Sequence, residues 1–285
     1  MVPRSGALTY HRNRNDGASG EFRRGEMALY NVIGHDYNAH RAADQRIVDS
    51  LVRLLDLAPG ALLADIGAGT GNYANALAER GFAVIAVEPS SEMRGQAPAH
   101  DRVDWRPGVA EALPLADGAV DGLVVTLAMH HFSSLAVAAR EFGRICPAGP
   151  AVIFTFDPRR SEANWFGDYF PALPEKDFGQ FPAIDDVAAT IARETGWRCD
   201  VEAFALPHDF ADHNMYAGWN RPELYLDPTM RANTSGFARA RPEEVTEGLD
   251  RLRDDLKTGA WDRRHGHLRT QDAFDAGYLF LTCRS

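Results

Sequence analysis

A chain of 285 residues with 45% hydrophobic and 25% charged side chains can bury one large α/β domain with an insertion, or two small domains, and has an ordinary globular composition. Its net charge of −10 argues against a partner held by phosphate neutralisation, so no nucleic acid is expected. No apolar run approaches the roughly 18 residues of a membrane span, and the opening residues lack an apolar signal core, so no membrane partner is expected and the location reads as cytoplasmic.

Residues 1–30 are polar and rich in Gly, Asn and Arg, which predicts a flexible arm that could embrace a neighbouring subunit. A helix is predicted from residue 42, with Ile47, Leu51 and Leu54 or Leu55 on one face, stopping before Pro59-Gly60. An apolar strand at 61–64 runs through Asp65 into Gly67-Ala68-Gly69-Thr70-Gly71, and a helix over 72–80 closes at Gly81. The strand at 82–87 ends in Glu88, and Ser90 is a suitable N-cap for a short helix holding Met93. Further strands are predicted at 103–106, 122–127 and 151–156, with a helix capped by Ser133 or Ser134 before the last of them. This alternation predicts βαβ units and a parallel sheet.

Beyond it, a helix over 184–195 ends at Gly196 and residues 199–206 alternate like a strand. An insertion at 207–274 holds one clear helix, opened by Pro242 with Glu243 and Glu244 in its first turn and closed by Gly259. The expected organisation is therefore an arm (1–30), a core (31–206), a lid-like insertion (207–274) and a last core strand (275–285). Cys146, Cys199 and Cys283 are odd in number and far apart, which predicts free thiols in a reduced compartment. His208, Asp209, Asp212 and His213 match no tight ligand spacing, and no metal is expected.

The glycine loop lets the backbone turn tightly and approach a ligand closely. It lacks the Gly-Lys-Ser/Thr ending of a phosphate loop, since Asn72 and Tyr73 follow Gly71, and Asn72 stands where a dinucleotide fingerprint needs its third glycine. Glu88 ends the next strand, where a carboxylate can accept two ribose hydroxyls. Asp65 beside the loop suits a cationic ligand better than a pyrophosphate, which favours an electropositive helix start.

Over residues 37–157 the chain resembles the class I S-adenosylmethionine-dependent methyltransferases of the small-molecule branch. Four pieces carry the resemblance: Leu62 to Gly71, Val87-Glu88-Pro89-Ser90-Ser91-Glu92-Met93, the run from Gly108 to Asp121, and Leu127-Ala128-Met129-His130-His131-Phe132. It implies an α/β, Rossmann-like, doubly wound and mostly parallel sheet with an antiparallel last strand, S-adenosyl-L-methionine as cofactor, and a small-molecule methyl acceptor.

By the same resemblance Gly67 and Gly69 line the methionine part, with the carbonyls of Gly67 and Leu127 near its amino group. Glu88 holds the ribose, Met93 packs on the adenine, with core filling as its alternative role, Ala110 and Glu111 border the adenine's polar edge, and Ala68, Asn72 and Pro89 belong to the same cofactor site. Val109 stands where the family often has Asp. Tyr37 and Arg41 belong to a segment that the family tends to fold over the cofactor, with a structural role as their alternative. His131 is the candidate general base, with packing against the following helix as its alternative role. Tyr216, Trp219, Tyr225, Phe237 and Trp261 suit either an aromatic lid over the acceptor or a small core beneath the insertion. A tRNA-modifying enzyme and a non-catalytic S-adenosylmethionine-binding protein are the remaining alternatives.

Overall fold

The computed structural model describes residues 43–162, 165–173, 181–210, 212, 215–232, 236–237 and 240–285; the 1–30 arm and His213 lie outside these. Helix α1 (Gln45–Leu55) starts where the Asp44 carboxylate accepts from the Arg46 amide at 3.0 Å. It buries Ile47, Val48, Leu51 and Leu55 completely. Each such side chain contributes about 1.5–3 kcal/mol.

The chain then alternates β1 (Leu62–Ile66), α2 (Asn72–Glu79), β2 (Ala83–Val87), α3 (Ser91–Gly95), β3 (Val103–Arg106), β4 (Gly122–Thr126), α4 (Leu135–Ile145) and β5 (Ala151–Phe156). After α5 (Phe166–Tyr169) come α6 (Ile184–Thr195), β6 (Arg198–Ala203) and the two-residue β7 (Leu206–Pro207). Helices α7 (Pro228–Ala232), α8 (Pro242–Thr258) and α9 (Ala260–His265) precede β8 (Ala273–Phe274) and β9 (Tyr278–Arg284).

Seven strands form one sheet in the order β3-β2-β1-β4-β5-β9-β6. β1 to β5 run parallel, and β9 inserts antiparallel between β5 and β6. The order reverses between β1 and β4, the place where open α/β sheets bind ligands at the strands' carboxyl ends. Strand alternation sends Leu63, Val84, Val124 and Phe154 to one face with α1 and α2, and Ala64, Ile85, Val125 and Ile153 to the other with α4 and α6.

Two features depart from the expected layout. The segment read as one strand over 199–206 is two: β6 joins the main sheet, while β7 pairs with β8 and closes the base of the insertion. The insertion also does not build its core alone. Trp165, Phe166, Tyr169 and Phe170 pack into it, with the Trp165 indole donating to the Trp219 carbonyl at 2.7 Å. Gly248 makes this packing possible, because a Cβ there would lie 2.4 Å from the Tyr169 carbonyl oxygen.

The cysteine expectation is corrected. Cys199 and Cys283 stand directly opposite each other in the β6–β9 register and form a disulfide, leaving Cys146 as a buried thiol. Eighty-four residues separate the pair in sequence, so only the antiparallel return of β9 brings them together. In denaturant without reductant, a thiol reagent is expected to label Cys146 alone, and all three cysteines after reduction; mass spectrometry reads the difference, and labelling of all three beforehand would refute the pairing.

Candidate functional site

The loop after β1 is shaped by three glycines in the left-handed region: Gly67 at φ 76°, Gly69 at 58° and Gly71 at 82°. A Cβ on Gly67 would lie 2.5 Å from that of Ala128, and one on Gly71 would lie 2.6 Å from the Trp105 ring. Gly69 is different. Nothing lies within 4 Å of its added Cβ, so this glycine faces open space that a ligand can approach. Ala68 and Asn72 beside it are half-buried.

Glu88 closes the loop from the next strand. Its Oε2 accepts from the Gly69 amide at 3.0 Å and its Oε1 from the Ser90 amide at 2.9 Å. Burial raises its carboxyl above the ordinary range, opposed by those two amides and by the charges of Arg94 and His131. Each oxygen keeps a further lone pair for a ligand hydroxyl.

Asp65, near the end of β1, is 1% exposed, and neither of its carboxylate oxygens has a hydrogen-bond partner among the described residues. Burial, with the Glu88 charge adding to it, pushes this carboxyl up to about 7. Two buried acids at one sheet end repel an anion and favour a cation. That suits the ammonium and sulfonium of S-adenosylmethionine, and it disfavours a pyrophosphate.

Just past β4, Leu127 holds φ 51°, a left-handed conformation that costs a non-glycine residue about 1–3 kcal/mol. Its amide donates to the Phe154 carbonyl at 2.8 Å, which anchors the turn to β5. Met93 is 5% exposed and lies in neither of the two large core clusters, and its amide donates to Ser90 Oγ at 3.3 Å. Pro89 is exposed and Ala110 buried. Glu111 Oε1 accepts from the Ser133 and Ser134 amides, the latter at 2.9 Å, so that oxygen holds the entry to α4. Tyr37 and Arg41 lie outside the described residues.

His130 and His131 share a 3-10 turn after β4, with ring centroids 3.8 Å apart. They face different surroundings. The charge of His131 acts on Glu88, beside the glycine loop. The His130 ring lies 4.4 Å from Phe181, which meets Phe156 at 5.1 Å, and Phe156 meets Tyr216 of the insertion at 5.5 Å. Sequence reasoning missed Phe156 and Phe181: the first reads as ordinary strand end, and the second sits in no periodic pattern. Asp157 is also buried here, but its oxygens accept from the Arg159 and Ile184 amides, a structural task.

Residues 64–154 match a family described as a methyltransferase domain. The fold overlays on the crystal structure of a putative methyltransferase from an antibiotic biosynthesis pathway of Anabaena variabilis, with a TM-score of 0.84 and 43% identity over 86% of this chain and 99% of that one. Over 115 residues the chain is 36% identical to the ubiquinone/menaquinone biosynthesis C-methyltransferase UbiE of Rubrivivax gelatinosus, spanning 40% of this chain and 44% of that protein. Over 173 residues it is 31% identical to the malonyl-[acyl-carrier protein] O-methyltransferase of Erwinia pyrifoliae, spanning 58% of this chain and 64% of the relative. The chain thus spans less than two thirds of either curated relative.

The geometry around Glu88 sets an expected outcome. Glu88→Gln turns an amide NH2 toward a backbone donor and should weaken S-adenosylmethionine binding about 10- to 100-fold by calorimetry, at roughly 1.4 kcal/mol per tenfold; unchanged affinity would remove Glu88 from the site. With its glycine loop, paired carboxylates and near-complete overlay on a methyltransferase of 43% identity, the chain belongs to the class I S-adenosylmethionine-dependent methyltransferases.

Proposed function

We propose that the protein transfers the methyl group of S-adenosylmethionine to a small-molecule acceptor by in-line displacement at the carboxyl ends of β1, β4 and β5. The observation that carries this reading is the paired carboxylates of Asp65 and Glu88 beside the open face of Gly69. When bound, the cofactor supplies a methyl group on a positively charged sulfur. Aligning nucleophile, carbon and leaving group can provide much of the acceleration, so the protein's main task is positioning. Glu88 takes the ribose hydroxyls, Met93 and Ala110 border the adenine, and the carbonyls of Gly67 and Leu127 meet the amino group.

The acceptor side is assigned to the aromatic run His130, Phe181, Phe156 and Tyr216, which leads from the end of β4 into the insertion. Trp219, Tyr225, Phe237 and Trp261 are buried in the core beneath the insertion, so their part is to hold that wall in place. An acceptor hydroxyl, amine or acidic carbon must lose a proton, and an imidazole with an ordinary pKa near 6.5 suits that task. We assign it to His130 instead of His131, because His130 borders the aromatic run while His131 acts on Glu88.

Incubation with methyl-labelled S-adenosylmethionine and a cell extract should place the label on a low-molecular-mass product. Label confined to ribonuclease-sensitive material would overturn the small-molecule reading. With that product's precursor in hand, His130→Ala should lower kcat about 10²- to 10⁴-fold and leave the KM for S-adenosylmethionine nearly unchanged. Loss of kcat in His131→Ala alone would return the role to His131.

A further inference from the structure

Among the described residues Asp65 has no hydrogen-bond partner. It caps no helix and accepts from no amide, unlike Asp44, Glu88, Glu111 and Asp157. A fully buried carboxylate without a partner is costly, and such a group relieves the cost by taking up a proton.

Among the described residues no cation offsets its charge. Its register partners, Ala86 on β2 and Val124 on β4, carry none. Thr126, two residues past Val124 and so on the same sheet face, offers a buried hydroxyl that is itself without a hydrogen-bond partner. On α1, which packs on this face, Arg46 pairs with Asp44 and Asp209, Arg53 with Glu202, and Asp49 with Arg80. The titratable side chains of α2 are Tyr73 and Glu79. From β2 comes Glu88, a second acid that disfavours ionisation of Asp65; Arg94 and His131 act on Glu88. The surroundings therefore hold the Asp65 proton until a positive charge arrives from outside.

We infer that Asp65 is a neutral carboxylic acid in the cofactor-free protein on the acid side of neutrality, and that binding of S-adenosylmethionine expels its proton to solvent. The carboxylate left behind is the counter-charge for the cofactor's cationic end. The balance is one O–H bond broken, one proton released to buffer, and one buried ion pair formed. This rests on the cofactor reading above and adds a coupling between pH and cofactor affinity. The shift of Asp65 to about 7 places that coupling at physiological pH.

Calorimetric titration of the full chain with S-adenosylmethionine, in two buffers of different ionisation enthalpy, counts the protons. Close to one proton per cofactor should leave at about pH 6 and close to none at about pH 8, with Kd falling about tenfold between them. Asp65→Asn keeps the shape of the neutral acid and should abolish both the release and the pH dependence. Binding by the native protein without proton release overturns the inference. So does equal release by the Asn variant, which would assign the proton to Glu88 or a histidine. If that variant does not fold, the infrared band of a protonated carboxylic acid decides: it should be present in the free protein at about pH 6 and lost on adding cofactor, and its absence overturns the inference. Failure to bind at either pH would instead defeat the cofactor reading itself.

Discussion

The glycine loop after β1 has few side chains with which to hold its own shape, and the Cα of Gly69 faces open space. Glu88 supplies what is missing. Its two oxygens take the Gly69 amide from one strand's loop and the Ser90 amide from its own, so one carboxylate fixes the ends of β1 and β2 together. The Gly67 and Ala68 amides, both donating to the Val87 carbonyl, repeat the tie through the backbone. Burial opposes the ionised state of Glu88, and two amide bonds offset that cost. The loop geometry and the entry to α3 therefore depend on one carboxylate.

The parallel half of the sheet was legible because each strand there is a short apolar run followed by a turn residue. Residues 61–64 and Asp65 become Leu62–Ile66, and the runs at 103–106 and 151–156 have the observed bounds. Ser90, Ser134, Gly196 and Gly259 stand at the helix ends where their chemistry put them. Long-range partnership was not legible. The Cys199–Cys283 pair depends on β9 lying between β5 and β6, which no local pattern encodes. Glu111 reads locally as a polar loop residue, yet its carboxylate holds amides 22 and 23 residues ahead. Val109 stands exposed beside it, so nothing at that position substitutes for a buried acid.

The insertion shows why aromatic content alone cannot separate a lid from a core. Trp219, Tyr225 and Trp261 are almost wholly buried, and their neighbours Trp165 and Phe166 come from a segment roughly fifty to a hundred residues earlier in the chain. A subdomain assembled from two distant segments is rigid where they interlock. Its connection to the sheet runs through Tyr216 and Phe156. On the proposed reading, a closely packed wall abutting the end of β5 is a better basis for acceptor selection than a loose cover, because a pocket discriminates by fixed shape and by polar groups left unpaired.

Unfavourable features gather at the same sheet end: an unpartnered acid, a second acid beside it, and a left-handed leucine. Their sign matters. The Asp65 carboxyl moves from its ordinary 3.8 up to about 7 in the folded chain, so the unfolded chain ionises first as pH rises. Its contribution to stability is complete below the ordinary value and is lost as pH climbs through about 7. A cationic ligand reverses that loss by giving the carboxylate a partner. On the proposed reading, a positively charged nucleoside relieves the free protein at the place where ionisation costs it most, which would favour a cation over an uncharged or anionic analogue of similar shape.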